Sequence, residues 1–218
     1  MLITGDRIIM ANKNKFSDPH LTAKGEARAR VALTHPKTLW FNTGTLCNIE
    51  CVNCYIDSSP INDALVYITA DEVSDYLEQL ITRNWQVREI AFTGGEPFMN
   101  PEMIEIARRS LAAGYDVLIL TNAMLPMMRK QMRQGLRDLN AAYPGKLTLR
   151  ISLDHFNEVY HDTERGKGAF QKSLTGMNWL RDASIRMAVA GRTVWGDTDS
   201  ASREGYRALF AEHGYDID

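Results

Sequence analysis

The chain has 218 residues, 44% of them hydrophobic and 24% charged. That composition is ordinary for a globular protein, excludes disordered, collagen-like and low-complexity classes, and suits one domain or two small ones. Lysine and arginine number 25 against 27 aspartates and glutamates, a net charge of -2, so no nucleic acid is expected as a partner held through bulk positive charge.

The N-terminal stretch MLITGDRIIMANKNK lacks the apolar segment and small-residue cleavage site of a signal peptide. No apolar run in the chain reaches the roughly 18–20 residues that span a bilayer. No membrane association and a cytoplasmic location are therefore expected. Residues 1–37 are polar and weakly patterned, and read as a leader that is weakly structured or carries one short helix over 23–33. From residue 38 to 218 a second rhythm takes over, and this stretch reads as a single core domain.

The first strand falls at 38–42 (TLWFN). A helix over 70–83 follows, with Thr69 and Glu72 spaced as a capping box and Val73, Tyr76, Leu77, Leu80 and Ile81 as its apolar stripe. The second strand is 89–93 (EIAFT). The next helix takes Asn100 as N-cap and Pro101 as its first residue, buries Ile104, Ala107 and Leu111, and ends at Gly114. A third strand at 116–120 leads to a helix over 125–142 carrying Met128, Met132, Leu136 and Leu139. A fourth strand at 146–153, a helix over 169–182, a fifth strand at 185–190 and a helix over 201–213 complete the pattern. Strands alternating with helices predict an α/β fold with a parallel sheet and right-handed crossovers. Five βα units imply an open, curved sheet. A sixth strand would begin at 215–218, so that segment is expected to be disordered or to feed an edge strand. The chain is then either a fragment or a compact form whose barrel a partner completes.

The three cysteines, Cys47, Cys51 and Cys54, lie within eight residues in the pattern C-x3-C-x2-C followed by Tyr55. An odd, closely spaced set in a cytoplasmic chain points to metal ligation rather than disulfides. Three thiolates leave one iron of a four-iron cluster open to an exogenous ligand. Structural zinc usually takes four protein ligands, and His35 lies before the strand. Zinc binding and three unligated cysteines remain the alternatives.

This pattern resembles the signature of the radical S-adenosylmethionine (radical SAM) enzymes. Gly94-Gly95-Glu96-Pro97, after the second strand, resembles that family's GGEP segment. Thr121-Asn122-Ala123 follows the third strand, and Ser152-Leu153-Asp154 ends the fourth. The run from His161-Asp162 through Arg165-Gly166-Lys167-Gly168 to Phe170 is similar to the branch containing molybdenum-cofactor biosynthesis and SPASM-type peptide-modifying enzymes. The resemblance implies an open partial parallel βα barrel. It implies a [4Fe-4S] cluster on Cys47, Cys51 and Cys54, whose free iron chelates SAM. By the same resemblance Gly94 and Gly95 let the backbone approach the ligand, Glu96 accepts a hydrogen bond from the SAM amino group, Tyr55 lies against the adenine, and Ser152 bonds the ribose or carboxylate. Asn122, Pro97 and Asp154 belong to the same pocket, and Arg192 supplies a cation for a carboxylate or the substrate. The structural alternative for Asn122 and Asp154 is loop capping, and for Arg192 a surface position. All these motifs follow strands, and the C-terminal strand ends carry the active site in parallel barrels.

The implied chemistry is reductive cleavage of SAM to methionine and a 5′-deoxyadenosyl radical, which takes hydrogen from a small-molecule or peptide substrate. It needs an external electron donor such as flavodoxin or ferredoxin. Two other functions stay open: a non-catalytic iron–sulfur carrier or sensor, and a zinc-stabilised interaction domain. His155 and His161 are candidate ligands or proton shuttles. Met127, Met128 and Met132 read as helix packing, and the basic run over 129–137 as a solvated face.

Overall fold

A computed structural model describes residues 17–32 and 34–217. The chain divides into two units, Met1–Thr34 and His35–Asp218. In the first, the described residues hold an antiparallel bridge between Leu21 and Ala27. It closes on a turn in which the Gly25 amide donates to the Thr22 carbonyl at 2.9 Å. No helix forms over 23–32; Gly25 at φ 82 and this bridge take its place, and residue 33 lies outside the described part.

The second unit is built on five strands: β1 (Thr38–Asn42), β2 (Glu89–Thr93), β3 (Asp116–Thr121), β4 (Leu147–Ser152) and β5 (Arg186–Ala190). They pair in sequence order, β1-β2-β3-β4-β5, and every pairing is parallel. The two end strands do not meet, so the sheet is open. Helices fill each crossover: α1 (Ala70–Thr82), α2 (Met103–Ala112), α3 (Leu125–Met128), α4 (Lys130–Ala142), α5 (Glu158–Arg165) and α6 (Ala169–Asp182), with α7 (Asp199–His213) after β5.

Period-two alternation explains which face these helices cover. Ile90 and Phe92, Val117 and Ile119, and Leu147, Leu149 and Ile151 are fully or almost fully buried. They meet helix stripes such as Val73, Leu77 and Leu80 of α1 and Leu174 and Met177 of α6 in one core. Each such side chain contributes on the order of 1.5–3 kcal/mol on burial. The opposite face is concave. There the Arg150 guanidinium of β4 sits 5.6 Å from the ring centre of Trp40 on β1, although two strands lie between them. Only a curled sheet brings those positions together.

The capping box at the start of α1 forms, with the Glu72 amide donating to Thr69 Oγ1 at 3.2 Å and the Thr69 amide to Glu72 Oε2 at 2.8 Å. Three elements differ from expectation. The second helix starts at Met103, because a 3-10 turn over Pro97–Met99 comes first and Asn100 Oδ1 accepts the Glu102 amide at 2.9 Å. The expected helix over 125–142 is two helices, broken where Arg129 turns extended at ψ 142. Helix α5 went unforeseen: its sequence EVYHDTER buries only His161 and Glu164, too little apolar surface to show a helical period. Past α7, Tyr215 is neither disordered nor in a strand. It is buried, and its hydroxyl donates to Asn178 Oδ1 at 2.9 Å. Among the described residues no helix is long and apolar enough to cross a membrane.

Candidate functional site

The site is assembled at the C-terminal ends of the strands. The β1 strand ends at Asn42, whose Oδ1 accepts the Gly44 amide at 2.9 Å and turns the chain into the cysteine loop. That loop doubles back, with the Cys47 amide on the Ser59 carbonyl at 3.1 Å. The turn after β2 is stitched to it: the Gly95 amide donates to the Gly44 carbonyl at 2.8 Å and the Glu96 amide to the Leu46 carbonyl at 3.1 Å. This contact requires glycine. A Cβ on Gly95 would overlap the Leu46 carbonyl, and one on Gly94, at φ 148, would meet the Gly44 carbonyl oxygen at 2.6 Å.

One cavity collects most of the expected residues. Cys47, Cys51, Cys54, Tyr55, Gly94, Gly95, Asn122, Ser152 and Arg192 all line it, joined by Ser58, Thr93 and Arg165. Asn122 is held on three sides. Its Nδ2 donates to Asn48 Oδ1 at 2.9 Å, its Oδ1 accepts the Met124 amide at 3.0 Å, and its carbonyl accepts Ser173 Oγ at 2.9 Å. Tyr55 stands at the rim, 74% exposed, with its hydroxyl 3.0 Å from Thr93 Oγ1.

Three expected residues do not line the cavity. Pro97 is buried and opens the 3-10 turn. Glu96 is 2% exposed, and its carboxylate turns inward. It accepts Thr121 Oγ1 at 2.8 Å, the Asn122 amide at 2.9 Å and the Phe98 amide at 3.2 Å. It therefore ties the β2 turn to the end of β3. Burial pushes its pKa up to about 7, against the pull of those donors. Asp154 is equally buried and holds the Arg165 guanidinium in a two-pronged pair at 2.7 and 3.0 Å. Arg192 Nε approaches the same carboxylate at 3.1 Å. Asp154 thus aims two cations at the cavity and does not enter it.

Glu164 is the residue that sequence reading missed. It lies on α5, 4% exposed. It accepts the Asn53 amide, Asn53 Nδ2 and Arg192 Nη1, each at 2.8 Å. Asn53 sits between Cys51 and Cys54, so Glu164 clasps the cysteine loop to α5 and to the end of β5. Neither histidine reaches the cavity. His155 Nδ1 accepts the Asn157 amide at 2.9 Å and its Nε2 faces Asp197 at 3.0 Å. His161 Nδ1 accepts the Asp154 amide at 3.2 Å, and burial lowers its pKa to about 4. Met127 and Met132 are core.

The three thiols are free. Burial pushes the Cys47 pKa up to about 12, and it raises that of Cys51 against the opposing pull of Arg165. Such thiols ionise only beside strong positive charge, which a bound metal centre supplies. Among the described residues no three His, Cys, Asp or Glu side chains converge closely enough for a single metal ion. Three free thiols line one cavity, and thiolates are the ligands that hold iron–sulfur clusters. The donor set fits an iron–sulfur cube.

The comparisons agree. The Radical SAM superfamily model matches residues 41–202. The chain belongs to the radical SAM superfamily. That superfamily consists of enzymes that use a [4Fe-4S] cluster and SAM. The radical SAM region is 32% identical over 162 residues to the antilisterial bacteriocin subtilosin biosynthesis protein AlbA of Bacillus subtilis, covering 72% of this chain and 34% of that one. It is 29% identical to the AdoMet-dependent heme synthase of Methanosarcina barkeri, covering 71% and 42%. The chain thus spans well under half the length of these relatives. Streptococcus suis SuiB, crystallised with S-adenosylmethionine, has the same radical SAM fold, with a TM-score of 0.65 at 15% identity over 84% of this chain and 40% of that one.

Proposed function

We propose that this chain binds a [4Fe-4S] cluster through Cys47, Cys51 and Cys54 and SAM beside it, and acts on a small-molecule or peptide substrate. One observation carries the reading: the three free cysteines and the Gly94–Gly95 turn line the same cavity at the strand ends. When bound, the cluster and SAM would supply one-electron cleavage to a 5′-deoxyadenosyl radical that abstracts substrate hydrogen.

The chain's own residues bind and orient. Gly94 and Gly95 present bare backbone to the ligand. Arg165 and Arg192, aimed by Asp154, offer guanidinium donors to the methionine carboxylate, where the planar fork favours a two-point contact. Ser152 adds a hydroxyl, and the Tyr55 face offers a stacking surface for the adenine at the cavity mouth. Glu96 acts through Asn122, whose position beside Cys47 it fixes, and so it is a positioning residue. The likeness to AlbA, a bacteriocin biosynthesis protein, supports a peptide among the possible substrates. Reduction would come from an external carrier of the flavodoxin or ferredoxin kind, and a partner or further chain would complete the barrel beyond β5.

The test is anaerobic reconstitution of the chain with iron and sulfide, followed by addition of SAM and dithionite. Close to four irons per chain and formation of 5′-deoxyadenosine are expected. Iron uptake without deoxyadenosine would favour the carrier reading, and a single tightly held zinc would favour the interaction domain.

A further inference from the structure

The concave face of the sheet carries a cation that no residue of the chain balances. Thr93, Leu120 and Ser152 line the cysteine cavity. Arg150 adjoins them: it pairs in register with Leu120 and stands two residues before Ser152 on β4, so the three side chains leave the sheet on the same face. Its guanidinium reaches across to the ring of Trp40, 5.6 Å from the centre, and Trp40 is itself 43% exposed.

Among the described residues Arg150 makes this ring contact, no ion pair and no side-chain hydrogen bond. Of its three nitrogens only Nε is closed off from solvent, which leaves both Nη free to meet a ligand. Leu118, Leu120 and Ala188, around it on the same face, supply no acceptor. The two carboxylates of that face lie at the strand starts and are engaged: Glu89 accepts Thr38 Oγ1 at 3.0 Å, and Asp116 pairs with Lys146 at 2.9 Å. A half-buried guanidinium has given up hydration that nothing here replaces. The indole supports its charge, and the two Nη present parallel donors in one plane, the match for the two oxygens of a carboxylate.

We propose that Arg150, carried on Trp40, binds a carboxylate of the substrate and holds it on the concave face beside the cysteine cavity. This rests on the reading above, in which SAM occupies that cavity, and it narrows the substrate to a carboxylate-bearing one, either an acidic peptide or a small free acid. Two residues of strand separate Arg150 from Ser152, about 6.6 Å, so the carbon that gives up hydrogen lies a few bonds from the carboxylate. Arg150 is then a specificity-determining residue.

The experiment is a tryptophan-fluorescence titration of the reconstituted chain with SAM present, on wild type, Arg150→Gln, Arg150→Lys and Trp40→Phe. The probes are glutarate for a free acid and N-acetylglutamate methylamide for a peptide side chain, each against its neutral amide counterpart, with inorganic phosphate as a further arm. Wild type is expected to give a saturable change with one or both carboxylates, the tighter marking the source, and none with the amides. Trp40→Phe removes the signal. Arg150→Gln binds at least tenfold more weakly, and Arg150→Lys, which keeps the charge but not the fork, recovers part of the loss and serves where the Gln variant does not fold. No response in wild type overturns the proposal, as do equal binding of the amides, tighter binding of phosphate, and unchanged binding in Arg150→Gln. A fall in SAM affinity in Arg150→Gln also overturns it, since the guanidinium then serves the nucleoside. A wild-type chain that takes up no iron and no SAM overturns this proposal together with the reading beneath it, whereas normal SAM binding without a carboxylate response overturns this proposal alone.

Discussion

Removing the Glu164 carboxylate should loosen the cysteine loop before it touches the rest of the fold. In Glu164→Ala the Asn53 amide, Asn53 Nδ2 and Arg192 Nη1 each lose an acceptor at 2.8 Å. A hydrogen bond to a charged group contributes about 1.5–3 kcal/mol. These three share one carboxylate and do not add, so the loss is taken as roughly 3–5 kcal/mol, that of breaking a buried charged pair. A domain of this size holds about 5–15 kcal/mol in all, so a chain above the bottom of that range stays folded. Its unfolding temperature falls by roughly 6–20 °C, at about 2–4 °C per kcal/mol. The loop suffers first, because its tie to α5 is reduced to the Val52 amide on the Glu164 carbonyl at 3.0 Å. Hydrogen exchange read at the Asn53 amide should accelerate by about two orders of magnitude or more, and a reconstituted variant should lose iron to a chelator faster than wild type. If Asn53 exchange and the unfolding temperature both match wild type, Glu164 does not clasp the loop.

Replacing Cys47, Cys51 or Cys54 by Ala should each abolish iron uptake, since the chain has three cysteines in all; a substoichiometric but stable cluster in any of the three would remove that residue from the ligand set. Glu96 should make stability depend on pH. Its pKa rises from 4.5 to about 7 on folding, so its stabilising contribution is full below about pH 4.5 and is lost as pH rises through about 7. In Glu96→Gln the urea midpoint should lose that part of its fall between pH 4.5 and 7, and an identical slope in both proteins would show that Glu96 does not titrate there. Gly95→Ala should separate the β2 turn from the cysteine loop, because the new Cβ overlaps the Leu46 carbonyl. The expected result is a folded chain with native circular dichroism and at least tenfold weaker SAM binding by calorimetry, and wild-type affinity would refute the close contact.

The strands were legible because each is a short apolar run bounded by polar residues: Thr38–Asn42 and Glu89–Thr93 fall where the pattern puts them. The apolar spacing over 125–142 carries across Arg129 and reads as one helix, and nothing local announces the extended residue there. Helix α5 was illegible for the opposite reason, as its buried side are His161 and Glu164. Motif resemblance located the cysteine loop, the double glycine, Asn122, Ser152 and Arg192, and the structure gathers these around one cavity. It could locate Glu96 but not the direction its carboxylate takes, which is decided by Thr121 and the Asn122 amide, 25 and 26 residues away. Glu164 carries no local pattern, since it acts across 111 residues.

The strictly sequential strand order has a consequence for the chain as it is made. Each strand pairs with the one synthesised just before it, so the sheet can grow unit by unit during translation, with largely local contacts and little kinetic penalty. The cysteine loop breaks this order. It is completed early, yet its ties run from Asn53 to Glu164, 111 residues on, and to Arg192, 139 residues on. The nascent chain therefore carries the cysteine loop without these ties while four further strands are added. The clasp on that loop therefore closes only after β5 is made, and the proposed cluster site reaches its folded form last.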